Sequence, residues 1–85
     1  SGELEWSLVS GDGSPIARAR CVATALDGEP REVVLNTSYK DGTWSDDSLA
    51  PGNYRVTAVV PGKEPVSIDV RIDAGATTRR QTVIP

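Results

Sequence analysis

The sequence contains no histidine and only one cysteine. Without histidine, neither a Ser-His-Asp triad nor a Cys-His pair can form, and the commonest metal ligand is missing. The single thiol, Cys21, has no partner for an internal disulfide, so packing has to stabilise the fold. A chain of 85 residues also leaves little room for a deep cleft. We therefore predict that the chain is not an enzyme and has no catalytic, cofactor-binding or metal-ligating residue.

A basic surface and a long apolar run are also missing. Nine Lys and Arg against twelve Asp and Glu give a net charge of −3, which argues against nucleic acid as the main partner. No apolar run approaches the roughly 20 residues that a membrane span needs, and no N-terminal segment has the pattern of a signal peptide. Ser1-Gly2 is typical of the remnant of a cleaved tag, which leaves residues 3–85 as a single domain.

The most informative stretch that is present runs from Ser48 to Val60. Pro51 fixes φ near the value needed at the first central position of a turn, and Gly52 accepts the positive φ of the second. Ala50 to Asn53 is therefore predicted to form a type II turn. From Tyr54 onward every second residue is apolar, which is the period of a strand with one buried face.

Similar alternation recurs along the chain, with turn residues between the extended segments. Strands are predicted over residues 3–9, 16–25, 32–37, 43–46, 54–60, 66–73 and 77–84. This pattern is typical of an all-β antiparallel sandwich of about seven short strands. Asp46 and Asp47 fall where a buried strand needs apolar groups, so the fourth strand is expected to be an edge, bulged or loop-like. The polar last strand suits an edge or a partly exposed position.

Several motifs together resemble one known family. They are Gly13-Ser14-Pro15-Ile16 with Ala19-Arg20-Cys21, Asp41-Gly42-Thr43-Trp44, the segment Leu49-Ala50-Pro51-Gly52-Asn53-Tyr54-Arg55-Val56, and Pro61-Gly62. The chain resembles the carboxypeptidase regulatory-like domains, which are transthyretin-like (prealbumin-like) Greek-key sandwiches similar to collagen-adhesin B-type repeats. The resemblance covers nearly the whole chain. It implies a non-catalytic accessory, spacer or adhesive module inside a larger secreted or cell-envelope protein.

The chain departs from that family pattern at two positions. Cys21 stands where the family usually has a larger aliphatic residue, and Asp46 where it usually has an apolar strand residue. We predict that Cys21 is a buried structural thiol. The adhesin repeats often carry a Lys–Asn isopeptide bond, but Lys40 and Lys63 both fall in predicted turns. We therefore expect no such cross-link here.

Asp41, Asp46 and Asp47 form the one local cluster that could hold Ca²⁺, because hard cations prefer several carboxylate and carbonyl oxygens. Their spacing matches no EF-hand loop, and acidic residues also protect an exposed sheet edge. We prefer the second interpretation and keep calcium binding as an alternative.

The aromatic residues decide whether a sugar-stacking platform is available. Trp6 and Tyr54 fall on inward-facing positions, and Trp44 resembles the family's core aromatic, so all three are predicted to lie in the core. Tyr39, in a predicted turn, is the best candidate for an exposed ring. Val22, Val34 and Val59 are candidates for outward positions, and on a single sheet they would form a docking patch for a neighbouring domain.

The sequence thus predicts a structural or protein-interaction module, without catalysis or cofactor, of a larger secreted, periplasmic or cell-surface protein. Its expected partners are neighbouring domains or another protein. The alternatives are a carbohydrate-binding module and a calcium-dependent adhesive domain.

Overall fold

Extended segments and turns make up the whole described chain. The computed structural model describes residues 1–38 and 42–85. Over those residues the strands are β1 (Gly2–Ser10), β2 (Arg20–Ala25), β3 (Glu32–Val34), β4 (Asn36–Ser38), β5 (Thr43–Leu49), β6 (Gly52–Val59), β7 (Val66–Ile72) and β8 (Thr77–Ile84). No helix in the described part of the chain is long and apolar enough to cross a membrane.

The strands form two four-stranded sheets. The β1 sheet has the order β4-β5-β1-β8, and the β6 sheet has the order β3-β2-β6-β7. Adjacent strands run antiparallel except for β1 and β8, which pair in parallel from Glu3 opposite Thr77 to Ser10 opposite Ile84. The predicted all-β sandwich is therefore confirmed, with one parallel pairing that the sequence pattern did not predict.

The core lies between the two sheets and consists of the alternating apolar residues. Its buried members are Leu4, Trp6, Leu8, Cys21, Ala23, Leu35, Trp44, Leu49, Tyr54, Val56, Ala58, Val70, Ile72 and Ile84. Trp6 and Trp44 lie directly opposite each other on β1 and β5, and the small residues Cys21, Ala23 and Ala58 in the β6 sheet leave room for such large rings. The predicted burial of Trp6, Trp44, Tyr54 and Cys21 is confirmed.

The predicted third strand, residues 32–37, is divided between the two sheets. β3 pairs with β2, and β4 pairs with β5. Leu35 joins them: its amide donates to the Cys21 carbonyl at 2.9 Å, and its side chain is buried. Val33, Val34 and Leu35 are consecutive apolar residues and do not alternate with polar ones, because the chain changes from one sheet to the other there.

The predicted second strand begins later than the sequence suggests, at Arg20 instead of Ile16. The segment before it is held by β1: Val9 and Pro15 form an isolated bridge, and the Ile16 amide donates to the Leu8 carbonyl at 3.0 Å. Ile16 packs on the core without belonging to a strand. Its apolar character therefore reflects packing and not strand pairing.

The fourth predicted strand is not an edge along its whole length. Residues 43–45 of β5 lie between β4 and β1. The pairing of β4 with β5 runs from Ser38 opposite Thr43 to Asn36 opposite Ser45. Asp46 lies beyond it and, among the described residues, pairs with β1 alone. A register shift between Gly2 and Leu4 accommodates one extra β5 residue, which confirms the predicted bulge.

The Asp46 carboxylate supports this irregular stretch. Its Oδ1 accepts hydrogen bonds from the backbone amide and the hydroxyl of Ser48, at 2.8 and 3.0 Å. Gly2 at the start of β1 is buried, and its Cα faces the backbone of Asp73. The assignment of Ser1-Gly2 as a tag remnant stays a prediction.

Candidate functional site

A cleft of about 440 Å³ opens at the end of the sandwich where β1 begins. The β2–β3 loop forms one wall and the β5–β6 turn forms the other. The residues that line it are Ala25, Asp27, Glu29, Pro30, Arg31, Ala50, Pro51, Gly52, Asn53 and Tyr54. A second cleft of about 500 Å³ adjoins it and shares Arg31, Ala50 and Pro51. Pro51 is exposed and separates the two clefts.

Asp27 holds the two walls together. Its Oδ2 accepts hydrogen bonds from the Asn53 backbone amide at 2.9 Å and from Asn53 Nδ2 at 3.1 Å. The Leu26 amide also donates to the Asn53 carbonyl at 2.8 Å. Charged groups accept stronger hydrogen bonds than neutral ones, so this carboxylate fixes the distance between loop and turn.

The same contact changes the predicted type II turn. In a closed turn the Asn53 amide would donate to the Ala50 carbonyl. Here the amide donates to Asp27, and the Ala50 carbonyl accepts from the Tyr54 hydroxyl at 2.6 Å instead. Gly52 takes the predicted positive φ, at 147°, well beyond the roughly 80° of a type II turn. The corner is therefore opened by side chains that replace its backbone hydrogen bond.

The chemistry that the cleft offers is polar and solvent-exposed. Asp27, Glu29 and Arg31 are all exposed at its rim, and only Tyr54 contributes a buried ring. Such groups can form hydrogen bonds and ion pairs with a polar ligand. The sequence did not identify it, because Asp27 and Asn53 lie in separate predicted turns and only the fold brings them together.

The outer face of the β6 sheet carries the predicted valine patch. Val22 on β2 lies directly opposite Val34 on β3, and Val59 lies on the neighbouring strand β6. Val34 is 53% exposed and Val59 48%. The three valines therefore do share one sheet face, and docking on it stays a prediction.

An ion pair lies further along this face. Arg55 Nε donates to Asp69 Oδ1 at 2.9 Å, between β6 and β7. This hydrogen bond holds the pKa of the Asp69 carboxyl below its ordinary value and raises that of Arg55. Because both side chains are exposed, the pair contributes little to stability and serves to order the surface.

The alternative of a calcium site rested on Asp41, Asp46 and Asp47. Asp41 lies outside the described residues, as do Tyr39 and Lys40. Asp46 is engaged by Ser48, and Asp47 is exposed. Within residues 1–38 and 42–85 no three His, Cys, Asp or Glu side chains come close enough to hold a metal ion. Calcium binding stays an alternative, and the exposed ring of Tyr39 stays a prediction.

Cys21 is sealed in the core, and burial raises the pKa of its thiol to about 12. The thiol is therefore neutral at physiological pH, and a neutral thiol is a poor nucleophile. By contrast, Asp12 lies in the exposed loop after β1, where a hydrogen bond from the Ser10 hydroxyl, and others from Ser14, lower the pKa of the carboxyl to about 2. These contacts order the loop.

Comparison with known proteins gives one family match. A family model described as carboxypeptidase regulatory-like domain matches residues 7–84, which confirms the resemblance stated from the sequence. No curated protein matches the sequence significantly.

Solved structures share the fold at low identity. A DUF3823 family protein from Bacteroides uniformis superposes with a TM-score of 0.71 at 18% identity, over 99% of this chain and 43% of the other. The 5-hydroxyisourate hydrolase of Klebsiella pneumoniae superposes with a TM-score of 0.64 at 20% identity, over 98% of this chain and 84% of the other. This chain thus spans less than half of the first structure and most of the second.

The hydrolase corrects one prediction. We predicted from the absence of histidine and the short chain that the protein is not an enzyme. The structure of an enzyme in Klebsiella pneumoniae matches 98% of this chain, so the fold does not exclude an enzyme, and the prediction was wrong. At 20% identity the likeness extends to the fold alone.

Proposed function

Because the chain belongs to the carboxypeptidase regulatory-like domain family, we propose that it is a spacer and protein-interaction module of a larger protein. The family resemblance supports a module that is secreted, periplasmic or displayed on the cell surface. The Bacteroides uniformis structure supports the proposal that this chain is one part of a longer protein, because the chain spans only 43% of that structure.

The observation that carries this proposal is the parallel pairing of the first and last strands. β1 starts beside the start of β8, so Gly2 and Ile84 lie at opposite ends of the pair. At about 3.3 Å per residue they are roughly 25 Å apart along the strands. The described body extends 36 Å along its longest axis. Segments attached before β1 and after β8 are therefore held apart by the sandwich.

Two surfaces suit contacts with such neighbours. The cleft beside Pro51 lies at the end where β1 begins, within reach of a segment that precedes the domain. The valine patch (Val22, Val34 and Val59) lies on the side of the sandwich and has room for a larger partner. An exposed group of apolar side chains on an otherwise polar sheet face supports protein contact.

The spacer role is tested by single-molecule energy transfer between two folded reporter domains fused to the two ends of the chain. We expect one narrow distribution of separations that stays the same when the reporters are exchanged for others of similar size. The control is a Gly/Ser linker of the same 85 residues, whose end-to-end distance averages roughly 50 Å with a broad spread. A distribution as broad as that of the linker would refute the spacer role.

The interaction role is tested in the full-length protein with Val34→Asp and with Lys63→Asp as a control on an exposed loop. Val34→Asp is expected to leave the fold intact, since the side chain is already 53% exposed, and to weaken the contact with the neighbouring domain. NMR shift changes confined to the valine patch measure that contact. Equal effects of the two substitutions would argue against docking on the patch.

A further inference from the structure

The pairing of β1 with β8 determines how the domain responds to tension along the chain. Force on the segment before Gly2 draws β1 toward its own start, and force on the segment after Ile84 draws β8 toward its own end. Because the strands are parallel neighbours, these forces slide one along the other. The ladder from Glu3 opposite Thr77 to Ser10 opposite Ile84 is then loaded along its whole length at once. An antiparallel pair pulled from one end would open one bond at a time.

Side-chain hydrogen bonds reinforce this ladder at three levels. Thr77 Oγ1 donates to Glu3 Oε1 at 2.9 Å, and Arg79 Nε donates to Glu5 Oε2 at 3.0 Å. Both bonds lie on the outer face. On the inner face the Trp6 indole Nε1 donates to Thr82 Oγ1 at 3.0 Å. Each bond joins β1 directly to β8 and has to break when the strands slide.

The composition of β8 fits this role. It is an edge strand, with β1 as its neighbour in the sheet, and its sequence Thr77-Thr78-Arg79-Arg80-Gln81-Thr82-Val83-Ile84 is mostly polar. Only Ile84 is buried. Full burial therefore anchors β8 only at Ile84. Apart from one bond to β7, from the Thr78 hydroxyl to the Arg71 carbonyl at 3.0 Å, the side-chain hydrogen bonds described for β8 that reach another strand go to β1. β1 itself is anchored on its other side by β5 and by its buried residues Leu4, Trp6 and Leu8.

We propose that the domain is a tension-bearing link, in which β1 and β8 form a shear clamp that keeps the sandwich folded when its two ends are pulled apart. This inference rests on the proposed function, because tension reaches the clamp only when both ends continue into other parts of a larger protein. The clamp predicts resistance that depends on the direction of pulling and not on overall stability alone.

The test is single-molecule force spectroscopy of the chain in two pulling geometries, both in the Cys21→Ala background. Handles at Ser1→Cys and Pro85→Cys load the clamp in shear. Handles at Ser1→Cys and Ala74→Cys pull β1 away from the turn that precedes β8 and peel the pair apart. We expect an unfolding force roughly twice as high in the first geometry, because shear loads the ladder bonds together, whereas peeling loads them one after another. Equal forces in the two geometries would overturn the proposal.

Two variants separate the clamp from general stability. Thr82→Val removes the acceptor of the Trp6 indole N–H, and Tyr54→Phe removes a hydrogen bond of similar burial that lies outside the clamp. Urea denaturation should show similar losses of unfolding free energy for the two variants. In shear, only Thr82→Val is expected to raise the unfolding rate, by roughly fivefold for one hydrogen bond. Rate increases that follow the equilibrium losses of both variants would contradict the clamp.

The outcomes also separate this inference from the spacer role. A narrow distribution of reporter separations without load, together with equal unfolding forces in the two pulling geometries, would reject the clamp and support the spacer role. A broad separation without load rejects the spacer itself. If Thr82→Val does not fold, the comparison of the two pulling geometries on the unsubstituted clamp still decides.

Discussion

Cys21 is buried in the core, where its ionised form is strongly disfavoured. Burial raises the pKa of the thiol from 9.0 to about 12. Above pH 9 the unfolded chain releases this proton while the folded chain keeps it, so the unfolded state binds fewer protons and stability falls as pH rises. The loss is at most about 1.4 kcal/mol per pH unit and continues until the folded-state pKa near 12 is reached.

Urea unfolding of the wild type and Cys21→Ala between about pH 8 and pH 11 measures this effect. All other ionisable groups are common to both proteins, so the difference in unfolding free energy isolates Cys21. We expect the wild type to lose its advantage over Cys21→Ala as pH rises. Parallel pH curves would show that the thiol is less buried than described.

Tyr54 combines a buried ring with a hydroxyl that satisfies the Ala50 carbonyl. Tyr54→Phe keeps the ring and leaves that carbonyl without its donor, so the variant is expected to lose about 1 kcal/mol of unfolding free energy. Ser67→Ala, which removes an exposed bond to Thr57, serves as the control and should change stability by less than half as much. An unchanged midpoint for Tyr54→Phe would show that the Ala50 carbonyl finds water instead.

The two Pro-Gly turns show how far a turn can be predicted from its own residues. Pro61-Gly62 forms a closed turn, with Gly62 at φ 78° and the Lys63 amide donating to the Val60 carbonyl at 3.0 Å. Pro51-Gly52 has the same chemistry but is opened by Asp27. Local preferences are identical at the two corners, so the difference comes from a side chain 24 or more residues away and was not predictable locally.

At the scale of elements, Gly42 immediately precedes β5 and lies against Leu8 of β1 and Ile16 of the β1–β2 connection. It has φ 62°, and an added Cβ would lie 2.9 Å from the Leu8 carbonyl oxygen and 3.0 Å from that of Ile16. Gly75 has a similar φ, 73°, but nothing within 4 Å of an added Cβ. The positive φ disfavours alanine at both positions. At Gly42 the added methyl group would also contact backbone atoms.

Gly75→Ala is therefore expected to lose about 1 kcal/mol, the usual effect of a positive φ. Gly42→Ala should lose at least about 2 kcal/mol more, because the added methyl group meets backbone atoms, and the Leu8 carbonyl cannot move aside without straining its hydrogen bond from the Ile16 amide. Thermal unfolding of both variants measures the difference. Similar losses would indicate that the β1–β2 connection relaxes around the new methyl group.

Alternation predicted most of the strands because it records which side chains face the core. β1, β6, β7 and β8 were predicted within one or two residues of their ends. Alternation does not record pairing partners. It could therefore not predict that β3 and β4 belong to different sheets, that β5 lies between two strands, or that β8 runs parallel to β1.

At the scale of the whole molecule, the contacts that close the fold join the two ends of the chain. Glu3 pairs with Thr77 and Ser10 with Ile84, so the pairing of β1 with β8 closes a loop that contains nearly the whole chain. Folds dominated by such distant pairings fold in milliseconds to seconds. Stopped-flow refolding followed by the fluorescence of Trp6 and Trp44 is expected to fall in that range, and a microsecond phase carrying the full amplitude would contradict it.

The fold class and the core followed from the sequence because both depend on patterns within each segment. The candidate cleft did not, because it combines a loop and a turn that only the assembled sandwich brings together. The family resemblance predicted the architecture, whereas the opposed chain ends needed the register of β1 with β8.

Many domains have their two termini side by side and can be inserted into a loop of a host protein. This sandwich has them at opposite ends, because β1 and β8 run in the same direction. A host loop would have to be forced apart by roughly 25 Å to accept it. Copies of this domain joined end to end by gene fusion would therefore form a linear array, whereas insertion into a host loop would need linkers that span this distance.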